Sequence, residues 1–375
     1  MSFYQLLQAY NWEEVTASIA RKSPREVELA LNKQHPDMED FKALLSPAAD
    51  AYLEAMAQKS HRLTCQRFGK VVQLYIPLYL SNYCENRCVY CGFSGANQLK
   101  RKVLSMAELA QEARMIRKNP YRHILLVTGE APSRAGVDYL ARSIQTLNPF
   151  FSQISLEVQP METAEYVRLV NEGLHGVYVY QETYHEKAYP DYHPSGKKAD
   201  FLYRLETPER LGRSGVRKIG LGSLIGLEDW RTEAWFTALH LQYLRRHYWQ
   251  AKYSISFPRL RPFAGEGFQP RYETSERDLT QLIVAYRLLD SDLELSLSTR
   301  ERPYFRDHVF PLGITAMSAG SKTGPGGYSD SGELEQFAVN DERSPQEVAE
   351  RIRSKGFEPV WKDWSLCLQQ DKAIV

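Results

Sequence analysis

Residues 71–93 read VVQLYIPLYLSNYCENRCVYCGF, and the order of the two halves decides how the rest of the chain is read. The first ten residues are almost continuously aliphatic or aromatic, the pattern of a strand buried on both faces, as in a parallel sheet. The following stretch turns polar and sets Cys84, Cys88 and Cys91 at C-x3-C-x2-C spacing, three of the five cysteines in the chain. Metal-binding side chains placed directly after a buried strand point to a fold that builds its site at the carboxyl ends of parallel strands.

Outward from this stretch the same beat recurs. Strand-like runs are predicted at 71–80, 123–129, 154–160, 176–182, 218–226, 253–259, 293–300 and 314–320, with amphipathic helical patterns between them. Helix starts are legible in SMAE (105–108), a capping box, and in the polar ETSERD ahead of a helix at about 275–289. Eight such units over about 250 residues predict an α/β protein, a (β/α)8 TIM-type barrel. An open doubly wound sheet is the alternative. The barrel is expected over 71–320, after a helical extension at 1–70 and before a C-terminal extension at 321–375. The latter carries SPQEVAERIRSKG (344–356), with Ser344 as N-cap, Pro345 at the first helical position, Glu347 closing a capping box and Gly356 ending the helix. No internal repeat beyond the β/α unit is evident.

Composition narrows the function. With 375 residues, 43% of them hydrophobic, the chain can bury a large core. Its 47 basic and 46 acidic residues nearly cancel, which gives no support to non-specific binding of nucleic acid or a membrane surface. The opening MSFYQLLQAYNWEEV lacks the pattern of a signal peptide, and no run approaches the roughly 20 apolar residues of a membrane span. A cytoplasmic protein is expected. Five cysteines, three of them crowded, do not form a disulfide framework.

Three readings of the crowded cysteines compete. Structural zinc takes four closed ligands, yet Cys65 and Cys367 are isolated in sequence, so His61 or His123 would have to complete the site. Inert core thiols fit poorly with the polar residues around them. Iron–sulfur chemistry needs only three thiolates when the fourth iron of a four-iron cluster is left open to another ligand.

The spacing, with Tyr90 just before the last cysteine, resembles the signature of the radical S-adenosylmethionine superfamily. That resemblance implies a 4Fe-4S cluster on Cys84, Cys88 and Cys91 whose open iron chelates S-adenosylmethionine and generates a 5′-deoxyadenosyl radical. Thr128, Gly129 and Glu130 (TGE) resemble the motif that holds the cofactor's methionine ammonium, with Thr128 in place of a glycine. Gly222, Leu224 and Gly226 in GSLIGLED resemble the segment beside adenine, with Leu224 and Asp229 as departures. By register, Glu157 matches a ribose-hydroxyl ligand and Arg204 the arginine that pairs with the cofactor carboxylate, a contact that suits the guanidinium fork.

Segments such as LLVTGE, VYVYQETYHE, RLETPERLGRSGVRKIGLGSLIGLEDWR and LSLSTRERPYFRDHVFPLG are similar to the tyrosine-cleaving branch of that superfamily, over nearly the whole barrel. The resemblance implies cleavage of L-tyrosine between Cα and Cβ to 2-iminoacetate and p-cresol, for the thiazole of thiamine. It implies that Arg300 grips the substrate carboxylate, with Ser318 and Tyr90 lining the same pocket. Arg259 and Arg261 compete for that role, and Arg300 could instead be a rim arginine paired with Glu301 or Asp307. Implied partners are a thiazole synthase, to which the water-sensitive imine is handed, and a flavodoxin- or ferredoxin-type reductant. Two alternatives are weighed against this reading. A hydrogenase-maturation-type tyrosine lyase would need a second cluster in its tail, where this chain has only Cys367. The other is a zinc-bound scaffold without chemistry.

Overall fold

The computed structural model describes residues 2–262, 268–329 and 336–362. Nine strands form one sheet: β1 (Val71–Ser81), β2 (His123–Thr128), β3 (Gln153–Glu157), β4 (Leu174–Tyr178), β5 (Lys218–Leu221), β6 (Lys252–Ser256), β7 (Glu294–Leu297), β8 (Ala316–Ser318) and β9 (Glu358–Val360). Their order is β2-β3-β4-β5-β6-β7-β8-β1-β9, and β1 also pairs with β2, so the first eight close into a barrel. Every pairing is parallel. The open-sheet alternative is therefore wrong. Closure follows from β1, whose 11 residues are long enough to pair with β8 through Gln73–Tyr75 and with β2 through Ile76–Ser81.

Strand ends differ from the sequence reading in one consistent way. The runs 154–160, 176–182, 218–226 and 293–300 all stop early as strands, and their last residues become the loops of the barrel mouth. Isolated bridges Glu182–Ser223 and Ile225–Arg259 carry β-type pairing a little further up. β9 was not predicted: EPV is short and contains proline, which keeps it at the entry of β1, where Val71 faces Glu358. The C-terminal extension thus adds an edge strand to the barrel sheet.

Helix starts follow their caps. Ser105 with Glu108, Ser275 with Asp278, and Ser344 with Glu347 each form the reciprocal capping box. The N-terminal helices lie against the barrel's outer helices Trp230–His247 and Glu276–Leu289. Phe3 stacks on His240 at 3.7 Å, Trp12 stacks on both His185 and Phe236, and Phe41 packs on Tyr286. Phe3, Phe41, Phe236 and Tyr286 share one continuous apolar core with the strands, and Trp12 packs against it. Among the described residues no helix is long and apolar enough to cross a membrane.

Candidate active site at the carboxyl ends of the strands

Ser81 ends β1, and the chain then wraps over the barrel mouth in a cysteine segment without regular structure. Backbone polar groups there need partners, and Arg101 supplies many. Its guanidinium donates to the carbonyls of Asn82 (2.5 Å), Phe93 (2.8 Å), Ser94 (2.7 Å) and Asn97 (3.1 Å). Gly129, just past β2, lets this segment come close: a Cβ there would collide with the Tyr83 carbonyl.

Cys84, Cys88 and Cys91 are free thiols; Cys88 is buried and the other two are partly so. Burial pushes the Cys84 thiol up to about 11 and the Cys88 thiol to about 12. Such thiols ionise only beside positive charge, which bound iron supplies. Among the described residues no three His, Cys, Asp or Glu side chains converge on a point that could hold a single metal ion. His61 lies beside Cys65, with Nε2 3.7 Å from its Sγ, and His123 starts β2 at the other end of the barrel. Neither completes a zinc site with the three cysteines. Three thiols on one segment, joined by neither histidine, fit a cluster that leaves one iron open better than four-coordinate zinc. Cys65 sits in the helix Leu53–Phe68, and Cys367 lies outside the described residues.

Beside this segment runs a chain of buried charges. Arg204 donates from Nη1 to Glu130 Oε1 (2.8 Å) and from Nε to the Tyr180 carbonyl (2.7 Å), while its Nη2 lies 3.7 Å from Glu182. Asn86 holds the other oxygen of Glu130 at 2.8 Å, and Lys198 donates to Glu182 at 2.7 Å. Despite its burial Glu130 is held below the usual carboxylate range, by Arg204 and Lys198. Sequence reasoning placed Glu130 and Arg204 separately on the cofactor; here they are also each other's partner. It missed Glu182 and Lys198 altogether. Glu182 is the only non-glycine residue with positive φ (70°) among the described residues, a strained conformation of the kind that gathers at functional sites.

Thr128 and Gly129 adjoin the cysteine segment, and Gly129 donates its N–H to the Ser81 carbonyl at 2.9 Å. The glycine-containing segment after β5 also abuts it. Leu224 is buried in an apolar patch with Cys88, Tyr90, Ala188, Tyr192 and Leu227. Gly222 has no room for a side chain beside the Ser256 carbonyl, and Gly226 takes φ 113°. Asp229 turns out to cap the helix that follows, accepting from the Thr232 N–H at 2.9 Å.

A cavity opens into the barrel next to this network, and Tyr79, Glu157, Tyr180, Arg300, Ser318 and Phe337 are among its walls. Arg300 lies with its guanidinium 3.5 Å from the Phe337 ring centre. No carboxylate among the described residues is within ion-pair distance of it. Its rivals are engaged elsewhere: Arg259 and Arg261 both hold the buried Glu301, and Asp307 is paired with Arg343 and Arg351. Ser318 lines the cavity with its hydroxyl accepting from the Thr299 N–H at 3.1 Å. Tyr90 does not line it, which corrects the expectation. Its phenol is bound at 2.7 Å to His193 Nε2, and the other ring nitrogen of His193 donates to the Tyr189 carbonyl. Because Tyr90 precedes a cysteine in an irregular segment, no periodicity could have shown which way its ring turns.

Comparisons with known proteins identify the family. The Radical SAM superfamily pattern matches residues 78–236, and the Biotin and Thiamin Synthesis associated domain matches 256–358. The 2-iminoacetate synthase of Escherichia coli (strain K12) is 53% identical over 356 residues, which is 94% of both chains. That of Salmonella typhimurium is 52% identical over 355 residues, again 94% of both. Among solved structures, HydG, a maturase of the FeFe-hydrogenase, superposes with a TM-score of 0.86 at 29% identity, covering 98% of this chain and 80% of its own.

Proposed function

The chain belongs to the 2-iminoacetate synthases of the radical SAM superfamily, and from that premise we propose how its barrel mouth performs their reaction. It is a lyase that cleaves L-tyrosine between Cα and Cβ to 2-iminoacetate and p-cresol, the step that serves thiamine thiazole formation. The higher identity over the whole chain favours this reading over a hydrogenase-maturation lyase. With S-adenosylmethionine, a 4Fe-4S cluster supplies a 5′-deoxyadenosyl radical when bound. Cys84, Cys88 and Cys91 would hold that cluster.

The other roles fall to side chains around them. Glu130 and Arg204 hold the charged methionine end of the cofactor, Thr128 and Gly129 offer backbone groups to it, and Gly222, Leu224 and Gly226 form the wall beside adenine. Arg300 takes the tyrosine carboxylate with a fork of two parallel hydrogen bonds. Ser318 adds a hydroxyl to the same wall, and Tyr79, Tyr180 and Phe337 exclude water from the aromatic ring. Holding the reacting atoms in one orientation supplies much of the rate in such a reaction. What chiefly supports the substrate assignment is that Arg300 faces the cavity without a carboxylate partner among the described residues.

Because the imine product hydrolyses quickly, we infer direct transfer to a thiazole synthase, and reduction by a flavodoxin- or ferredoxin-type protein. The test is an anaerobic assay of the reconstituted protein with S-adenosylmethionine, reductant and tyrosine. Formation of p-cresol is expected, and its absence under conditions that yield 5′-deoxyadenosine would refute the substrate assignment.

A further inference from the structure

The cavity that holds Arg300 also holds a carboxyl group without a partner. Glu157 ends β3, in register with Val127 of β2, and is half-buried in the cavity wall. Among the described residues its side chain makes no hydrogen bond and no ion pair. The neighbouring carboxylates are placed otherwise: Glu130 is held by Arg204, and Glu182 by Lys198 as well as Arg204. Half-buried at the cavity wall, this carboxyl has no partner among the described residues, and a cavity is where a ligand group would meet it.

An α-amino acid carries its two charges on neighbouring atoms of one carbon. With the carboxylate on Arg300, the ammonium is left to seek an acceptor within the same cavity. We propose that Glu157 receives the α-ammonium of tyrosine and takes one proton from it, so that the substrate amine lies neutral in the cavity. This deepens the tyrosine-lyase reading and rests on it. The step is a simple proton transfer, in which one N–H bond breaks, one O–H bond forms and the electron pair stays on nitrogen. A neutral amine gives up a hydrogen atom with less accumulation of charge than an ammonium does.

The electrostatics suit the task. Burial pushes the Glu157 carboxyl up to about 7, close to the value that serves a general base at neutral pH. Arg300, in the loop after β7, opposes that rise, as do Lys198 and Arg204, while Glu182 beyond β4 reinforces it. The phenols of Tyr79 on β1 and Tyr180 after β4 face the same carboxyl and stay neutral by burial. The sequence register instead suggested that Glu157 holds a cofactor ribose hydroxyl, and the two roles make different demands.

The experiment is anaerobic calorimetry on reconstituted protein with S-adenosylmethionine bound. Tyrosine is compared with 3-(4-hydroxyphenyl)propanoate, which has the same skeleton without the amino group, on wild type and on Glu157→Gln. Wild type is expected to prefer tyrosine by roughly tenfold or more, as one added hydrogen bond between the amino group and Glu157 implies. In Glu157→Gln that preference should shrink to within about threefold, with S-adenosylmethionine affinity and the iron absorbance kept. Glu157→Asp, which retains the charge on a shorter arm, should keep part of the preference. An unchanged preference in Glu157→Gln overturns the proposal, and so does a fall in S-adenosylmethionine affinity with the preference intact, which is the signature of a ribose ligand. Failure of the tyrosine-lyase reading shows separately, as wild type that makes no p-cresol.

Discussion

Arg204 and Glu130 meet through a 2.8 Å charge-assisted hydrogen bond while only 5% and 12% of their side chains are exposed. Two functional candidates on different β/α units are thus bound to each other across the barrel mouth. Breaking such a pair from one side leaves a stranded buried charge, at a cost of about 3–5 kcal/mol. Arg204→Met is expected to lower the free energy of denaturant unfolding by that order and to weaken S-adenosylmethionine binding. Arg204→Met with Glu130→Gln should recover part of the stability and none of the binding. A single variant as stable as wild type would show that the pair does not support the fold.

The same pair sets an acid limit. Glu130 is held below its ordinary 4.5 in the folded protein, so it contributes stability above that pH and loses it as pH falls through the lower folded value. Acid unfolding of the Glu130→Gln, Arg204→Met variant, followed by circular dichroism, should therefore depend less steeply on pH below about 4.5 than that of wild type.

Cluster loading should follow three cysteines and no fourth among the described residues. Cys84→Ala, Cys88→Ala or Cys91→Ala is expected to abolish iron–sulfur absorbance and 5′-deoxyadenosine formation alike. Cys65→Ala should preserve both, since Cys65 lies on the Leu53–Phe68 helix beside His61. Loss of the cluster in Cys65→Ala would mean that the ligand set is wrong.

Gly129 tests how tightly the cysteine segment is seated. An added methyl would strike the Tyr83 carbonyl and crowd Cys84 Cβ at 3.1 Å, and backbone cannot step aside as a side-chain tip can. Gly129→Ala is expected to lower stability by about 1–3 kcal/mol and to reduce iron incorporation per chain. Full iron content with unchanged melting would contradict this packing.

Much of this was legible before the structure because it lay in local pattern. Long apolar runs separated by capped helices specify the barrel, and close spacing specifies the cysteines. What needed coordinates was contact between distant segments. Arg259, Arg261 and Arg300 look alike in sequence; only in space does Glu301 engage the first two and leave Arg300 to the cavity. Glu182 and Lys198 were missed because their pairing spans a loop and because positive φ at a glutamate has no sequence signal. Tyr90 was misplaced for a related reason, its orientation being fixed by His193 from another loop.

The claim that Arg300 grips the substrate is tested most directly by the ratio of p-cresol to 5′-deoxyadenosine in Arg300→Lys. Lysine keeps the charge and loses the planar fork, which should cost roughly 2–4 kcal/mol of tyrosine binding, on the order of 30- to 1,000-fold. Cofactor binding and slow 5′-deoxyadenosine release should persist, because Arg300 is not part of the Glu130–Arg204 network. The expected result is a p-cresol to 5′-deoxyadenosine ratio far below that of wild type. A wild-type ratio with unchanged tyrosine affinity would contradict the assignment.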